Sequence, residues 1–285
     1  MKRILVTLGD PAGIGPEVID AALEQFVPPA GTEIVLLGDR SAGTPGRPDQ
    51  NSARAALDAL EQSSSCLKRG EASAVVTGPV SKEGLQALGF PFPGQTEFYA
   101  DIFDVQEFAM CLDGATLCIV PVTIHVSIRT AARQLSSVSI ERCGRLLAAH
   151  LRARGCAAPR IAVAGLNPHA GEAGAFGDEE QKIIAPAIRR LNEAVPGATF
   201  HGPEVPDAVF REAAAGGFDG VLAMYHDQGL IPFKLLDFDS GVNLTLGLPV
   251  PRTSPDHGTG FSIAGRGIAN PGSMRRAIEM ACELA

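Results

Sequence analysis

Three histidines in this chain each end a short apolar run and begin a glycine-rich or polar turn. They are His125 in Val120-Pro-Val-Thr-Ile-His-Val, His169 in Ala164-Gly-Leu-Asn-Pro-His-Ala-Gly, and His226 in Val221-Leu-Ala-Met-Tyr-His-Asp-Gln-Gly. Strand ends are where open α/β sheets collect ligand-binding groups. Three imidazoles gathered there would hold a divalent ion and leave room for substrate or water. One such histidine alone is more simply a hydrogen-bonded side chain at a sheet edge. The same arrangement three times, among six histidines in all, favours the metal. His150 and His201 lack a strand-end turn and are expected to tolerate alanine. His257 is expected near a cofactor rather than on the metal.

The last third of the chain holds the densest polar constellation: His226, Asp227, Gln228, Lys234, Asn243, Arg252, Asp256 and His257. Lys234, Asn243 and Arg252 are too irregularly spaced for one helix face, so only the fold could bring them together. Lysine and arginine near a metal suit an anionic substrate bearing carboxylate or phosphate; the alternative is two surface charges. Earlier, Gly9-Asp-Pro-Ala-Gly-Ile-Gly-Pro-Glu17 follows an apolar run and opens a helix. Its Gly13 and Gly15 lack the third glycine of a dinucleotide fingerprint, because position 18 is Val, so a tight turn with a placed Asp10 is the firmer reading. Lys82 in Gly78-Pro-Val-Ser-Lys82 faces either an anion or solvent.

Alternating elements must position these groups. Ile4–Leu8, Ile34–Leu37, Ala74–Thr77, Leu117–Thr123, Ile161–Leu166 and Val221–Tyr225 read as strands. Ala53–Arg69, Ser139–Arg154, Glu179–Glu193 and Pro271–Glu283 read as helices. That alternation predicts an α/β fold with largely parallel sheets, and 285 residues suffice for two such domains. Gly38–Asn51 reads as an exposed loop. With 45% apolar residues, 20% charged residues and a net charge of −8, the chain has the composition of a globular protein without a basic face for nucleic acid. No apolar run reaches the roughly 20 residues of a membrane helix, and Asp10 interrupts any leader-like N-terminus, so a cytoplasmic protein is expected. The six cysteines form no Cys-x-x-Cys pair and are expected to be reduced and mostly buried.

The glycine-dense stretch Asp256-His-Gly-Thr-Gly-Phe-Ser-Ile-Ala-Gly-Arg-Gly-Ile-Ala-Asn-Pro271 resembles the adenosine-binding loop of the isopropylmalate and isocitrate dehydrogenase class, although the acidic position of that loop is Ser262 here. Four longer motifs are more specific: Gly9-Asp-Pro-Ala-Gly-Ile-Gly-Pro-Glu, Gly165-Leu-Asn-Pro-His-Ala-Gly-Glu, Ala223-Met-Tyr-His-Asp-Gln-Gly and Thr253-Ser-Pro-Asp-His-Gly-Thr. Together they resemble the 4-hydroxythreonine-4-phosphate dehydrogenase family of pyridoxal phosphate biosynthesis, from Ile4 to the C-terminal helix. The resemblance implies two α/β domains with a cleft between them, isopropylmalate-dehydrogenase-like. One would comprise residues 1–95 plus 253–285 on the cofactor side, the other residues 96–252. It implies metal ligands His125, His169 and His226, with zinc favoured and cobalt, manganese or magnesium able to serve. Substrate contacts would be Gln95, Thr96, Lys234, Asn243 and Arg252. Cofactor contacts to NAD or NADP would come from Asp256, His257, Gly258, Thr259, Gly265 and Asn270. Asp207 or Lys234 would transfer the proton, and the enzyme would be a homodimer.

The activity so implied is oxidation of 4-phosphohydroxy-L-threonine at C3, followed by decarboxylation to 3-amino-2-oxopropyl phosphate. Two departures bear on the substrate. The family's Gly-His-Thr-Glu is Gly94-Gln-Thr-Glu97 here, and the chain is short near Gly38–Asn51. Ile231-Pro-Phe-Lys-Leu-Leu and Val126-Ser-Ile-Arg resemble relatives acting on cis-dihydrodiol carboxylates, whereas Val242-Asn-Leu-Thr-Leu-Gly-Leu-Pro and Arg252 resemble the hydroxythreonine phosphate branch. The same chemistry on another four-carbon acid phosphate or a cis-dihydrodiol is therefore the alternative. A metal-dependent hydrolase without nicotinamide is a third reading.

Overall fold

The computed structural model describes residues 1–285. Its strands are β1 (Lys2–Thr7), β2 (Thr32–Leu37), β3 (Ala74–Thr77), β4 (Ala109–Asp113), β5 (Cys118–Thr123), β6 (Arg160–Ala164), β7 (Thr199–Glu204), β8 (Gly220–Tyr225), β9 (Val242–Leu246) and β10 (Arg252–Pro255). Its α-helices are α1 (Gly15–Glu24), α2 (Gln50–Lys68), α3 (Lys82–Ala87), α4 (Gln95–Ile102), α5 (Ile128–Gln134), α6 (Ser137–Ala153), α7 (Ala185–Ala194), α8 (Pro206–Ala214), α9 (His226–Asp237) and α10 (Gly272–Leu284). The chain forms two units, one of Met1–Gln106 with Asp239–Ala285, the other of Glu107–Phe238.

In the first unit the strand order is β2-β1-β3-β10-β9, parallel except for the β10–β9 pair. The apolar middle of β1 is fully buried, as expected of a parallel strand covered on both faces. Helix α2 begins with a capping box between Asp49 and Ser52, which ends the Gly38–Asn51 loop. That loop is not featureless: Arg40–Ala42 is a 3₁₀ turn and Thr44 bridges Arg47.

The unit's limits differ from 95/96 and 252/253. Phe98 and Tyr99 of α4 join the core of Leu5, Leu57, Leu60 and Val75, and the Tyr99 hydroxyl meets Ser63 Oγ at 2.6 Å. Strand β9 likewise belongs here because it pairs with β10, Leu244 opposite Thr253.

In the second unit the order is β4-β5-β8-β6-β7, with only β4–β5 antiparallel. Its core joins Met110, Leu112, Ile119, Val221, Leu230 and Phe233. The predicted helix over Glu179–Glu193 is a π-turn, Glu180–Ile184, running into α7. Asp237, at the end of α9, is buried and accepts hydrogen bonds from the backbone N–H groups of Thr116 (3.0 Å) and Leu117 (2.9 Å) in the β4–β5 turn. Asp237→Ala strands both donors and is expected to lower stability by about 2–3 kcal/mol in a denaturant titration.

Candidate active site

Arg252, at the start of β10, is 4% exposed. One terminal nitrogen donates to Thr77 Oγ1 (2.5 Å) and Gln95 Oε1 (3.0 Å), the other to Thr245 Oγ1 (3.5 Å). All three acceptors are neutral, and the buried Nε–H has no partner. Burial pulls the guanidinium down to about 10, with Tyr99 and Glu97 opposing, so it stays charged at neutral pH. The register of β9 on β10 explains the Thr245 contact, since Thr253 opposite Leu244 sets Arg252 beside Thr245. Thr245 Oγ1 donates in turn to Thr96 Oγ1 at 3.3 Å. Thr96 lies in the first turn of α4, whose leading N–H groups have no intrahelical acceptor. A charged guanidinium with an unpartnered donor, beside a helix N-terminus, has the chemistry of an anion-binding group.

Gln95 has both ends of its amide engaged: Oε1 accepts from Arg252, and Nε2 donates to the Gly78 carbonyl at 3.3 Å. It therefore holds the guanidinium in place. Asn243, in β9, keeps a buried Oδ1 without a partner.

In the second unit the three strand-end histidines line two recesses that share Tyr225 as a wall. One, of about 160 Å³, contains His125, His226 and Asp227; the other, of about 330 Å³, contains His169, Asp207 and Gln228. The His125 and His226 rings are 5.6 Å apart between centroids. His226 Nδ1 meets Asp227 Oδ1 at 2.6 Å, so Nε2 is the ring nitrogen that a metal would use. Gln228 ties the strand ends together: its Oε1 accepts from Met224 N (2.6 Å) and its Nε2 donates to the Gly165 carbonyl (2.7 Å). Lys234, on α9, belongs to this unit while Asn243 and Arg252 belong to the other; its Nζ lies 5.9 Å from the Phe238 ring centroid.

Two of the three histidines have left-handed backbone. His125 has φ 53° and His169 φ 51°, and the left-handed run continues through Ala170, Gly171, Glu172 and Ala173. For residues with a Cβ this costs roughly 1–2 kcal/mol each, and such strain concentrates at functional sites. Glu180 holds the loop from below. Its buried carboxylate accepts from Leu166 N and Asn167 N, both at 2.8 Å, and from Asn167 Nδ2 at 3.0 Å. Burial alone would raise its pKa, but these donors hold it below the usual glutamate range. Gly171 is required there, because a Cβ would stand 2.6 Å from Glu180 Oε2.

The Asp256–Pro271 stretch lies on the β1–α1 turn. Ile14 N donates to the Thr259 carbonyl at 2.8 Å, and Gly265 N to Glu17 Oε2 at 2.8 Å. A Cβ on Gly13 would come within 2.6 Å of the Thr259 oxygen, so these two glycine-rich segments need each other. Asp256 N donates to Ser273 Oγ at 3.0 Å, His257 Nδ1 meets the Gly258 carbonyl at 3.0 Å, and Asn270 Oδ1 accepts from Gly272 N at 2.8 Å.

The family profile of pyridoxal phosphate biosynthetic protein PdxA matches residues 17–281. The chain belongs to this family. It is 44% identical to a 4-hydroxythreonine-4-phosphate dehydrogenase of Erythrobacter litoralis over 327 aligned positions, covering 100% of this chain and 97% of the relative. The structure of a 4-hydroxythreonine-4-phosphate dehydrogenase from Klebsiella pneumoniae superposes with a TM-score of 0.85 at 36% identity, covering 99% of this chain and 98% of the other. An isocitrate dehydrogenase from Methylococcus capsulatus, at 17% identity and TM-score 0.57 over 99% of this chain and 85% of the other, shares the fold. The family is one of dehydrogenases, so the chain is an oxidoreductase.

Sequence reasoning overlooked Thr77, Thr245 and Glu180. The signal for Thr77 was its place at a strand end before Gly78. His150, expected to tolerate alanine, is buried against Asp113 at 2.7 Å. Glu180→Ala is expected to cost about 2–3 kcal/mol and to speed amide exchange across residues 166–173. The Glu180 contribution is present above the ordinary glutamate range and lost below it, so the gap between wild type and variant should narrow as pH falls below about 4.

Proposed function

We propose that this chain oxidises 4-phosphohydroxy-L-threonine at C3 with NAD or NADP, in the presence of a divalent ion. The β-keto acid so formed loses CO₂ to give 3-amino-2-oxopropyl phosphate, a step towards pyridoxal phosphate. The observation that carries this reading is Arg252: a buried guanidinium, hydrogen-bonded only to neutral groups, with one N–H still to spend. The substrate itself comes from the name of the relatives.

In this reading Arg252, the Thr96 hydroxyl and the first N–H groups of α4 take the phosphate. Thr77, Gln95 and Thr245 hold the guanidinium in place. Replacement of the family's histidine by Gln95 is then compatible with a phosphorylated substrate, because the Gln95 amide is used on Arg252 and Gly78 rather than on the ligand.

His125, His169 and His226 would hold the divalent ion, zinc first among the candidates for an imidazole set. The ion, when bound, supplies Lewis acidity that lowers the pKa of the substrate hydroxyl. Asp227 fixes the His226 ring, and Asp207, in the same recess as His169, is assigned as proton acceptor, with Lys234 the second candidate. A nicotinamide held by this chain would supply the hydride acceptor. The Asp256–Asn270 loop is the assigned cofactor side, and the buried Asn243 oxygen stays with the substrate contacts.

A homodimer is part of the proposal. Ile231 and Leu235 of α9 and Phe238 at its C-terminal end are 68%, 82% and 65% exposed, an apolar surface suited to a second copy. No helix is long and apolar enough to cross a membrane, and the free cysteines accord with a cytoplasmic location.

NADH or NADPH formation with 4-phosphohydroxy-L-threonine should vanish on complete metal removal and return with zinc, cobalt, manganese or magnesium. Turnover indifferent to metal would overturn the reading. Alanine at His125, His169 or His226 should lower metal content and turnover together, and Asp227→Asn should weaken metal affinity or activity about 10–100-fold.

A further inference from the structure

Beneath α6, away from the three strand-end histidines, a second group of metal-type side chains is assembled in the second unit. Cys111 on β4, Cys118 on β5 and His150 on α6 place their ligand atoms within 4.8 Å of one another. The sheet register arranges this. Asp113 stands opposite Cys118 in the antiparallel β4–β5 pair, and Cys111 follows two residues along on the same face. The two thiols are 3.7 Å apart. Two thiolates about 2.3 Å from a tetrahedral zinc stand about 3.8 Å apart. His150 Nε2 meets the buried Asp113 carboxylate at 2.7 Å, and Arg154 bonds the same carboxylate at 2.5 Å. A carboxylate behind a histidine is how metal-ligating imidazoles are ordinarily oriented.

We propose that Cys111, Cys118 and His150 form a second metal site that takes a thiophilic divalent ion of the zinc type and joins the β4–β5 hairpin to α6. His150 on α6 and Arg154 at its end, one turn apart, both bond the Asp113 carboxylate, so the group that orients the imidazole also ties β4 to α6. Three protein ligands leave a fourth position for water, and Cys118 is the partly exposed member of the set. The proposal does not depend on the three-histidine reading.

The test is the metal content of the His125→Ala/His169→Ala/His226→Ala protein, purified under reductant with zinc supplied. About one zinc per chain is expected, lost on adding Cys111→Ser. Cobalt loading of the wild-type protein gives an independent readout that needs no disabled site. It should produce a thiolate-to-cobalt charge-transfer band, which imidazoles alone cannot give, and Cys111→Ser or Cys118→Ser should abolish it. No thiolate band in the wild type, a band undiminished by both cysteine variants, or a Cys111–Cys118 disulfide in the zinc-supplied protein would overturn the proposal. Failure of the three-histidine reading would instead leave a cysteine-dependent zinc in place.

Discussion

A single buried positive charge constrains the first unit. An unpaired charge taken out of water costs several kcal/mol unless hydrogen bonds and an opposite charge replace its hydration. Arg252 has the hydrogen bonds, to Thr77, Gln95 and Thr245, and no carboxylate among its bonding partners. Each partner comes from a different element: β3 ends at Thr77, α4 begins at Gln95, and β9 carries Thr245. The pairing of β10 with both β3 and β9 is therefore also what gathers the partners of Arg252. In the proposed function the missing opposite charge is the substrate phosphate, which the planar fork of an arginine matches better than a lysine ammonium does.

The second unit holds its functional groups by strain rather than by charge. The left-handed backbone at His125 and from His169 through Ala173 is disfavoured residue by residue. It persists because neighbouring groups over-determine it. Glu180 gathers three donors from Leu166 and Asn167, Gln228 spans the ends of β6 and β8, and Thr123 Oγ1 donates to the Met224 carbonyl at 2.9 Å. Glu180 also begins a π-turn, a local irregularity frequent at functional sites. The cost of these conformations is offset by buried hydrogen bonds, which fix the backbone on either side of His169.

The sequence made some of this legible. Apolar runs bounded by glycine identified β3 residue for residue, and strand-end position singled out the three histidines. Resemblance, not periodicity, pointed to the roles of Arg252 and the Asp256–Pro271 loop. What stayed hidden depends on distant partners. Thr77 and Thr245 are ordinary strand residues until Arg252 is placed between them. His150 lacks a strand-end turn and gives no sign of a partner until Asp113, 37 positions away, is packed against it. Ala170 and Ala173 have no preference for the left-handed region, so only Glu180 explains their conformation. Helix α9 was obscured by Pro232 in its interior, where proline ordinarily marks a boundary. The limits of the two contact units differ from the expected 95/96 and 252/253 because the aromatic packing of Phe98 and Tyr99 cannot be read from spacing.

The most direct test of the account compares kcat/KM for 4-phosphohydroxy-L-threonine and for 4-hydroxy-L-threonine, in the wild type and in Arg252→Lys. A receptor with buried groups left unpaired by the dephosphorylated compound should prefer the phosphorylated one by about 10⁴-fold or more. Arg252→Lys should lower kcat/KM for the phosphorylated substrate roughly 100-fold, about 2.7 kcal/mol, and leave the other nearly unchanged. Comparable values for both compounds in the wild type, or a variant that loses both equally, would contradict the assignment of Arg252 to the phosphate.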